Sequence, residues 1–281
     1  MRNLRDIRRR IKSVKSTQQI TKAMKMVAAV RLKKAQMKLN LFKNYSENLN
    51  SIFEKILPLY KKISHPYFKK DGVKKRLVII VAGDRGLCGS YNSQIFEEFL
   101  KYGGKVNLTT IPIGSRTISF IKKNNFEILA SFSNIFKEIE KIPSKEIFGL
   151  VEKSFLSGEV QEVFILSQRF LSMGKTPINF EKILPMETKA EEPEVDYLFD
   201  PPFNLISSDI LKRYVETKIY QILIESYLSE QLARMVAMEL ATKNADEMIQ
   251  SLTLLYNRMR QAAITKELIE IVSGAESLRR R

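Results

Sequence analysis

Few residues in this chain are of a type suited to catalysis. Cys88 and His65 are the only thiol and the only imidazole among 281 residues. A zinc site draws about four ligands from Cys, His and carboxylates, and this pair supplies only two nitrogen or sulfur ligands. With one cysteine an internal disulfide framework is excluded, which favours a reducing compartment. Cys88 lies in Gly83-Asp84-Arg85-Gly86-Leu87-Cys88-Gly89. That loop follows an apolar run and precedes a helical pattern, a place where backbone amides cradle phosphates or a helix N-terminus activates a thiol. Its spacing is G-x-x-G-x-x-G, which is neither the dinucleotide fingerprint nor the P-loop. A tight strand-to-helix turn is the better reading. His65 falls in a surface loop, so a Cys/His nucleophile pair has little support, and no cluster of carboxylates stands out nearby. The sequence assigns no catalytic, cofactor-binding or metal-ligating residue.

Charge is a stronger signal. The net charge is +16, and residues 1–43 contribute +13 of it, from 14 Lys/Arg against the single acid Asp6. Such a segment suits nucleic acid phosphates. Against that use, Arg8, Arg9 and Arg10 point around a helix rather than to one face, and no aromatic precedes Phe42 to stack on bases. A mitochondrial presequence is also Arg-rich and poor in acids, but an unbroken apolar seam running on to Phe42 fits a disposable leader poorly. A merely solvated face leaves the near-absence of acids unexplained; an acidic protein partner surrounding the helix explains it.

The elements that carry these residues follow from where the helix breakers are missing. The first Pro is Pro58 and the first Gly is Gly72; after Pro202 neither recurs until Gly274. Each Gly or Pro in a helix costs about 1 or about 3 kcal/mol, so these gaps permit helices that reach roughly 80 and 100 Å. Leu4, Ile7, Ile11 and Val14, then Met24, Ala28, Leu32, Ala35, Leu39 and Phe42, step by three and four, as do Leu252, Leu255, Met259 and Ala262. After a register shift come Ile264, Leu268 and Ile271. This is a helix–helix seam, and the simplest closure is an antiparallel pair of the first and last helices. Between them, Arg76 to Ala82, Val106 to Ile113, Gln161 to Ser167 and Pro177 to Ile183 read as strands. Asn92 to Lys101, Ser115 to Lys123 and Ser144 to Leu156 read as helices. Alternating strands and helices predict an α/β domain with crossover helices, and Thr188 to Pro202 an exposed linker. The predicted organisation is α/β: an N-terminal coiled-coil helix over 1–57, a Rossmann-like α/β domain over 76–187, and a C-terminal coiled-coil helix over 205–276. The longest apolar runs fall well short of the roughly 20 residues that span a bilayer.

Several blocks carry a resemblance. Ile11-Lys12-Ser13-Val14-Lys15-Ser16-Thr17-Gln18-Gln19-Ile20-Thr21-Lys22-Ala23-Met24-Lys25-Met26-Val27-Ala28-Ala29 resembles the N-terminal helix of the gamma subunits of F-type ATP synthases. Gly83-Asp84-Arg85-Gly86-Leu87-Cys88-Gly89-Ser90-Tyr91-Asn92 is similar to that family's central-domain loop. Ser229-Glu230-Gln231-Leu232-Ala233-Arg234-Met235-Val236-Ala237-Met238 and the run from Tyr256 to Ala275 resemble its C-terminal helix. The blocks occur in family order, so the resemblance covers essentially the whole chain.

The resemblance implies a central rotor shaft that catalyses nothing and binds no cofactor. It implies an antiparallel helix pair inside a ring of three alpha and three beta subunits. The sheet domain would meet the epsilon subunit and the polar loops of the membrane c-ring, with no nucleotide or nucleic acid bound directly. Carried over from the matching motif, Arg260 and Gln261 would hydrogen-bond a carboxylate-bearing beta loop, and Met24 would lie near Arg260, Thr265 and Glu267. Ile264, Leu268, Ile271 and Val272 would slide in an apolar collar. Two departures stand out. Glu276 and Arg279-Arg280-Arg281 follow where family members end in small or apolar residues. The inserted dithiol of chloroplast members has no counterpart beside the lone Cys88. The lack of an evident presequence points to the cytoplasmic face of a bacterial inner membrane. The rival reading is a basic coiled-coil nucleic-acid-binding protein.

Overall fold

The computed structural model describes residues 4–63, 65–69, 72, 74–103, 107–172, 176–187 and 197–279. In chain order the main elements are α1 (Leu4–Ile56), β1 (Arg76–Val81), α2 (Tyr91–Gly103), β2 (Leu108–Ile113), α3 (Ser115–Lys123), β3 (Glu127–Ile128), α4 (Ser144–Leu156), β4 (Glu162–Gln168), β5 (Ile178–Leu184) and α5 (Phe203–Arg279). Short 3₁₀ turns occupy Leu57–Lys62, Pro66–Phe68 and Ile139–Lys141. The chain divides into two compact units, one of residues 1–27 with 235–281 and the other of residues 28–234.

The two long helices run 53 and 77 residues, against about 11–12 for an average helix. α1 ends where Pro58 enters, since a proline disfavours α geometry in the residue before it. α5 begins just after Pro201 and Pro202, with Leu205 N–H donating to the Pro202 carbonyl at 2.9 Å.

In the unit of residues 1–27 and 235–281, Ile7 is buried and Leu4, Ile11 and Val14 are half-buried, as the three-and-four spacing predicts. Further along, the seam turns polar. Gln18 donates to Asp246, the Thr21 and Thr242 hydroxyls meet at 2.8 Å, and Lys25 pairs with Glu239 at 2.7 Å. Numbers rise on one helix as they fall on the other, so the pair is antiparallel.

In the unit of residues 28–234, Ala28, Leu32, Ala35, Phe53 and Ile56 continue the buried stripe of α1. Phe53 stacks on Tyr214 at 3.8 Å, and Ser46 donates to Gln221 Oε1 at 2.8 Å, again antiparallel. The sheet order is β3-β2-β1-β4-β5, with the first four strands parallel and β5 antiparallel on the edge. Leu77 to Val81 are all at most 1% exposed. Successive residues of a strand face opposite sides, so both sheet faces are covered, the normal condition of a parallel sheet. Val78 and Ile80 pack in one cluster with Ile95 and Phe99 of α2 and Ile121 of α3. Each such side chain contributes about 1.5–3 kcal/mol over leaving it in water.

A simple helix pair buries every third or fourth residue. In α5, by contrast, residues 222–232 are buried without a break, so that stretch is packed from more than one side. Ser46 and Gln221 meet on the α1 side. Tyr91 at the start of α2 reaches Ser226, Phe136 stacks on Tyr227, and Arg169 beyond β4 reaches Glu225.

The sequence-predicted elements need small adjustments. α2 is longer at both ends than Asn92 to Lys101, and the last two strands each sit one residue later. The second strand begins at Leu108, and Val106 lies outside the described residues, as do residues 188–196 of the expected linker and Arg280 and Arg281 of the tail. The two-residue β3 was not foreseen.

Candidate partner interface

The loop after β1 is a clasp. Gly83 passes so close to α5 that a Cβ there would stand 3.0 Å from Glu230 Oε1 and 3.1 Å from the Arg85 carbonyl, so a side chain fits only if these neighbours give way by a few tenths of an ångström. Its N–H donates to Asn92 Oδ1 at 2.9 Å. Asp84 Oδ1 accepts from the Ser115 N–H, the Ser115 hydroxyl and the Asn134 N–H, each at 2.9 Å. An acid at the first residues of α3 caps its free amides and favours the helix dipole. Tyr91 shares a 2.8 Å hydroxyl contact with Ser226, and Arg234 donates to the Arg85 carbonyl at 3.4 Å and to Glu230. The turn-rich loop is therefore an anchor holding the sheet to α5, in line with the structural reading of its glycines. Sequence reasoning missed that Glu230 and Arg234 are the other half of the clasp. The signal available was two charges four apart inside an apolar helix.

Burial dominates the electrostatics here. It holds the Glu230 carboxyl above the usual carboxylate range, although Arg234 beside it pulls the other way, and nearby Asp84 pushes it further up. The Cys88 thiol is pushed up mainly by burial, with the neighbouring Arg234 opposing. Its Sγ accepts from Asn92 Nδ2 at 3.4 Å. His65 instead accepts the Tyr67 N–H on Nδ1 at 3.2 Å, and burial followed by Lys212 lowers its pKa. The contacts of Cys88 and His65 do not include one another, so the structure assembles no nucleophile pair. Thiolate fraction and access set thiol reactivity. Alkylation of Cys88 should therefore be at least about tenfold slower in the folded protein than in urea; equal rates would mean that the clasp is open in solution. Among the described residues no three His, Cys, Asp or Glu side chains are grouped to hold a metal ion.

The residues singled out for partner contact lie on the unit of residues 1–27 and 235–281. Arg260, Gln261, Thr265 and Glu267 are all exposed on α5. Met259 and Ala263 are half-buried, and every residue of 264–275 is exposed. Ile264, Leu268, Ile271 and Val272 are 48–67% exposed. At 100° per residue Arg260, Ile264, Leu268 and Ile271 share one face, so a cation heads a bare apolar stripe. Ala262, expected in the seam, is exposed while Ala263 turns inward, because the register has drifted by one residue there.

Met24 is a correction. It was expected beside Arg260, Thr265 and Glu267, but its neighbours Thr21 and Lys25 meet Thr242 and Glu239. Those partners sit about twenty residues before Arg260, roughly 30 Å along the helix. The antiparallel register, which spacing alone does not determine, puts Met24 opposite the polar part of the seam.

The basic helix is largely unspent. Arg5, Arg8, Arg9, Arg10, Lys12, Lys15 and Lys22 are exposed, and none has a carboxylate partner among the described residues.

The sequence model of a family described as ATP synthase matches residues 3–278. The ATP synthase gamma chain of Desulforamulus reducens is 39% identical over 283 residues, covering 99% of this chain and 100% of the relative. That of Moorella thermoacetica is 38% identical over 283 residues with the same coverage. Among solved structures, a chain of the Euglena gracilis mitochondrial ATP synthase rotor shares the fold. It aligns with TM-score 0.68 at 17% identity over 93% of this chain and 98% of its own length. A chain from the central stalk and c-ring of the Tetrahymena thermophila mitochondrial ATP synthase aligns with TM-score 0.60 at 25% identity, over 79% and 99%.

Proposed function

Because this chain belongs to the ATP synthase gamma-chain family, we propose that it works as the central rotor shaft, coupling proton flow through the membrane ring to ATP synthesis and hydrolysis in the enzyme's head. The nucleic-acid-binding alternative gains no support from the relatives. The observation that carries the mechanism is the end of α5, where Arg260 heads an apolar stripe that nothing among the described residues covers. A bare stripe of this kind on one helix calls for an apolar surround. A collar formed by alpha and beta subunits supplies it without directional bonds, which is what a turning tip requires.

The remaining features fit the same reading. Long helical runs without Gly or Pro, such as 4–56 and 203–273, are stiff and transmit torque. The unpaired cations of α1 meet acidic beta-subunit loops through screened, reversible attractions, since exposed ion pairs are worth only about 0–1 kcal/mol. Arg260 and Gln261 engage a carboxylate on a beta loop, and charge-assisted bonds are the stronger class. Thr265 and Glu267 flank that contact. The shaft presents a different face to each beta subunit, so each nucleotide site favours a different state as the shaft turns; coupling is this differential contact. The sheet domain meets the epsilon subunit and the polar c-ring loops. The chain supplies no catalytic group itself. Among the described residues no helix is long and apolar enough to cross a membrane, and the chain is held peripherally through the complex, on the cytoplasmic face of a bacterial inner membrane.

Arg260→Ala tests this. In the reconstituted enzyme it should lower ATP turnover by about tenfold, the loss of one charge-assisted bond, while the subunits still assemble. Normal turnover and normal proton pumping would remove Arg260 from the coupling contact.

A further inference from the structure

The chain's one imidazole has no part in the coupling contacts and sits in a second bracket, within the unit of residues 28–234. His65 immediately precedes the 3₁₀ turn Pro66–Phe68, and its Nδ1 accepts the Tyr67 N–H at 3.2 Å, so the ring caps that turn. The turn in its place holds several neighbours. Tyr67 is 1% exposed, and its hydroxyl donates to Glu152 Oε1 of α4 at 2.7 Å. Its carbonyl accepts the Met186 N–H, just beyond β5, at 2.7 Å. Phe68 packs on Tyr60 with ring centroids 5.3 Å apart, and the Tyr60 hydroxyl donates to the Ser207 carbonyl of α5 at 2.7 Å. Four segments thus meet at one capped turn: the exit from α1, α4, α5 and the stretch after β5.

Histidine is the side chain whose ordinary pKa puts its charge change between pH 5 and 8. Because Nδ1 accepts, the neutral ring carries its proton on Nε2, and any further proton must go to Nδ1. That converts the capping acceptor into a donor facing another N–H. The charged groups acting on the ring are Lys212 on α5 and Glu152 on α4, and the Tyr67 ring stands edge-on to it at 4.8 Å. Burial disfavours the imidazolium most, Lys212 adds to that, and Glu152 opposes. Glu152 is already engaged by Tyr67 and, at 3.3 Å, by Lys212, so an imidazolium would have to compete for it. The fold therefore favours the neutral ring. The cap's contribution is fully present above the ordinary value of 6.5 and is lost as pH falls from there through the lowered folded value.

We propose that His65 is a proton-operated catch: neutral, it caps the turn; protonated at Nδ1, it releases the cap and loosens the bracket joining the exit of α1 to α4, α5 and the end of β5. The catch would stand even if the shaft's contacts were assigned differently, since none of its residues is used for them. On a rotor shaft it makes the fastening of sheet to helices respond to acidification of the surrounding compartment.

The test is NMR on the purified full chain, where a single histidine gives a single imidazole signal. His65 should titrate below 6.5. Hydrogen exchange at the Tyr67 amide, corrected for the intrinsic rate, should lose about tenfold in protection between about pH 7.5 and about pH 5, the loss of one capping bond. His65→Asn supplies a capping acceptor that does not titrate, so protection should stay high at both pH values. His65→Ala should lack it at both. A His65 midpoint at or above 6.5, or wild-type protection that ignores pH, would overturn the proposal. So would an equal fall in His65→Asn, which would trace the loosening to buried carboxyls held above their usual range, such as Glu225 and Glu230.

Discussion

Arg234→Met should destabilise the protein by about 3–5 kcal/mol, the usual cost of leaving one member of a buried ion pair unpaired. Both side chains of the Glu230–Arg234 pair are at most 8% exposed, so water does not replace the lost partner. The deficit should also depend on pH in a defined direction. Burial already holds the Glu230 carboxyl above its ordinary range, and removing Arg234 takes away the main influence opposing that shift. A raised carboxyl means that the folded state keeps a proton which the unfolded chain releases. Its stability is intact below the ordinary value of 4.5 and is lost as pH rises through the raised folded value. Urea unfolding of the variant should therefore approach wild type near pH 4.5 and fall well below it at pH 8. Adding Glu230→Gln should recover most of the loss at pH 8. A deficit that ignores pH would show that the damage arises from lost packing rather than from an uncompensated carboxylate.

The other large effect is expected at Gly114. Its φ of +101° is a conformation that L side chains rarely adopt, and an added Cβ would lie 2.3 Å from the Ala82 carbonyl oxygen. That oxygen cannot retreat easily, because the Ala82 N–H is itself bonded to the Ile113 carbonyl at 3.1 Å where β1 and β2 end. Gly114→Ala should cost roughly 3 kcal/mol or more, the sum of about 1–2 for the backbone and 1–3 for overpacking. Gly149, inside α4, has nothing within 4 Å of its Cβ position. There the same substitution should stabilise by about 1 kcal/mol, the helix-propensity gain. Opposite shifts in melting temperature would separate a glycine required by geometry from one that is merely tolerated. Shifts of the same sign would contradict the backbone reading.

Much of this architecture was legible in the residues. The long helices followed from absent breakers, since nothing else allows 53- and 77-residue helices. α3 and α4 fell at their predicted bounds because Gly114 and Pro143 mark their starts. The antiparallel pairing of α1 and α5 was also foreseen, but its register was not. Gln18, Thr21, Thr242 and Asp246 set it, and polar side chains in a seam look like surface residues until a partner is known. The clasp was half legible: the glycines announced a turn, while for Glu230 and Arg234 the four-residue spacing suits a solvated pair as well, and only the apolar residues around them hinted at burial. β3 escaped because two residues have no period. At the end of α5 the apolar spacing was readable, but spacing alone does not tell a covered stripe from the bare one that residues 264–275 present.

The Gln18–Asp246 contact joins residues 228 positions apart, which has a consequence for the order of synthesis. At about 5–20 residues per second, a ribosome needs roughly 10–50 s to go from one to the other. Throughout that interval the first stretch of α1 has emerged with its seam unpaired, beside a sheet unit able to begin folding around Leu77 to Val81. The stretch of α1 around Gln18 is thus made well before the residues that complete its seam. A nascent chain halted before the end of α5 would leave a cationic, half-apolar helix without its mate, the kind of exposed surface that chaperones hold and proteases remove. The two sides of this seam are fastened together only after the ribosome has passed Asp246.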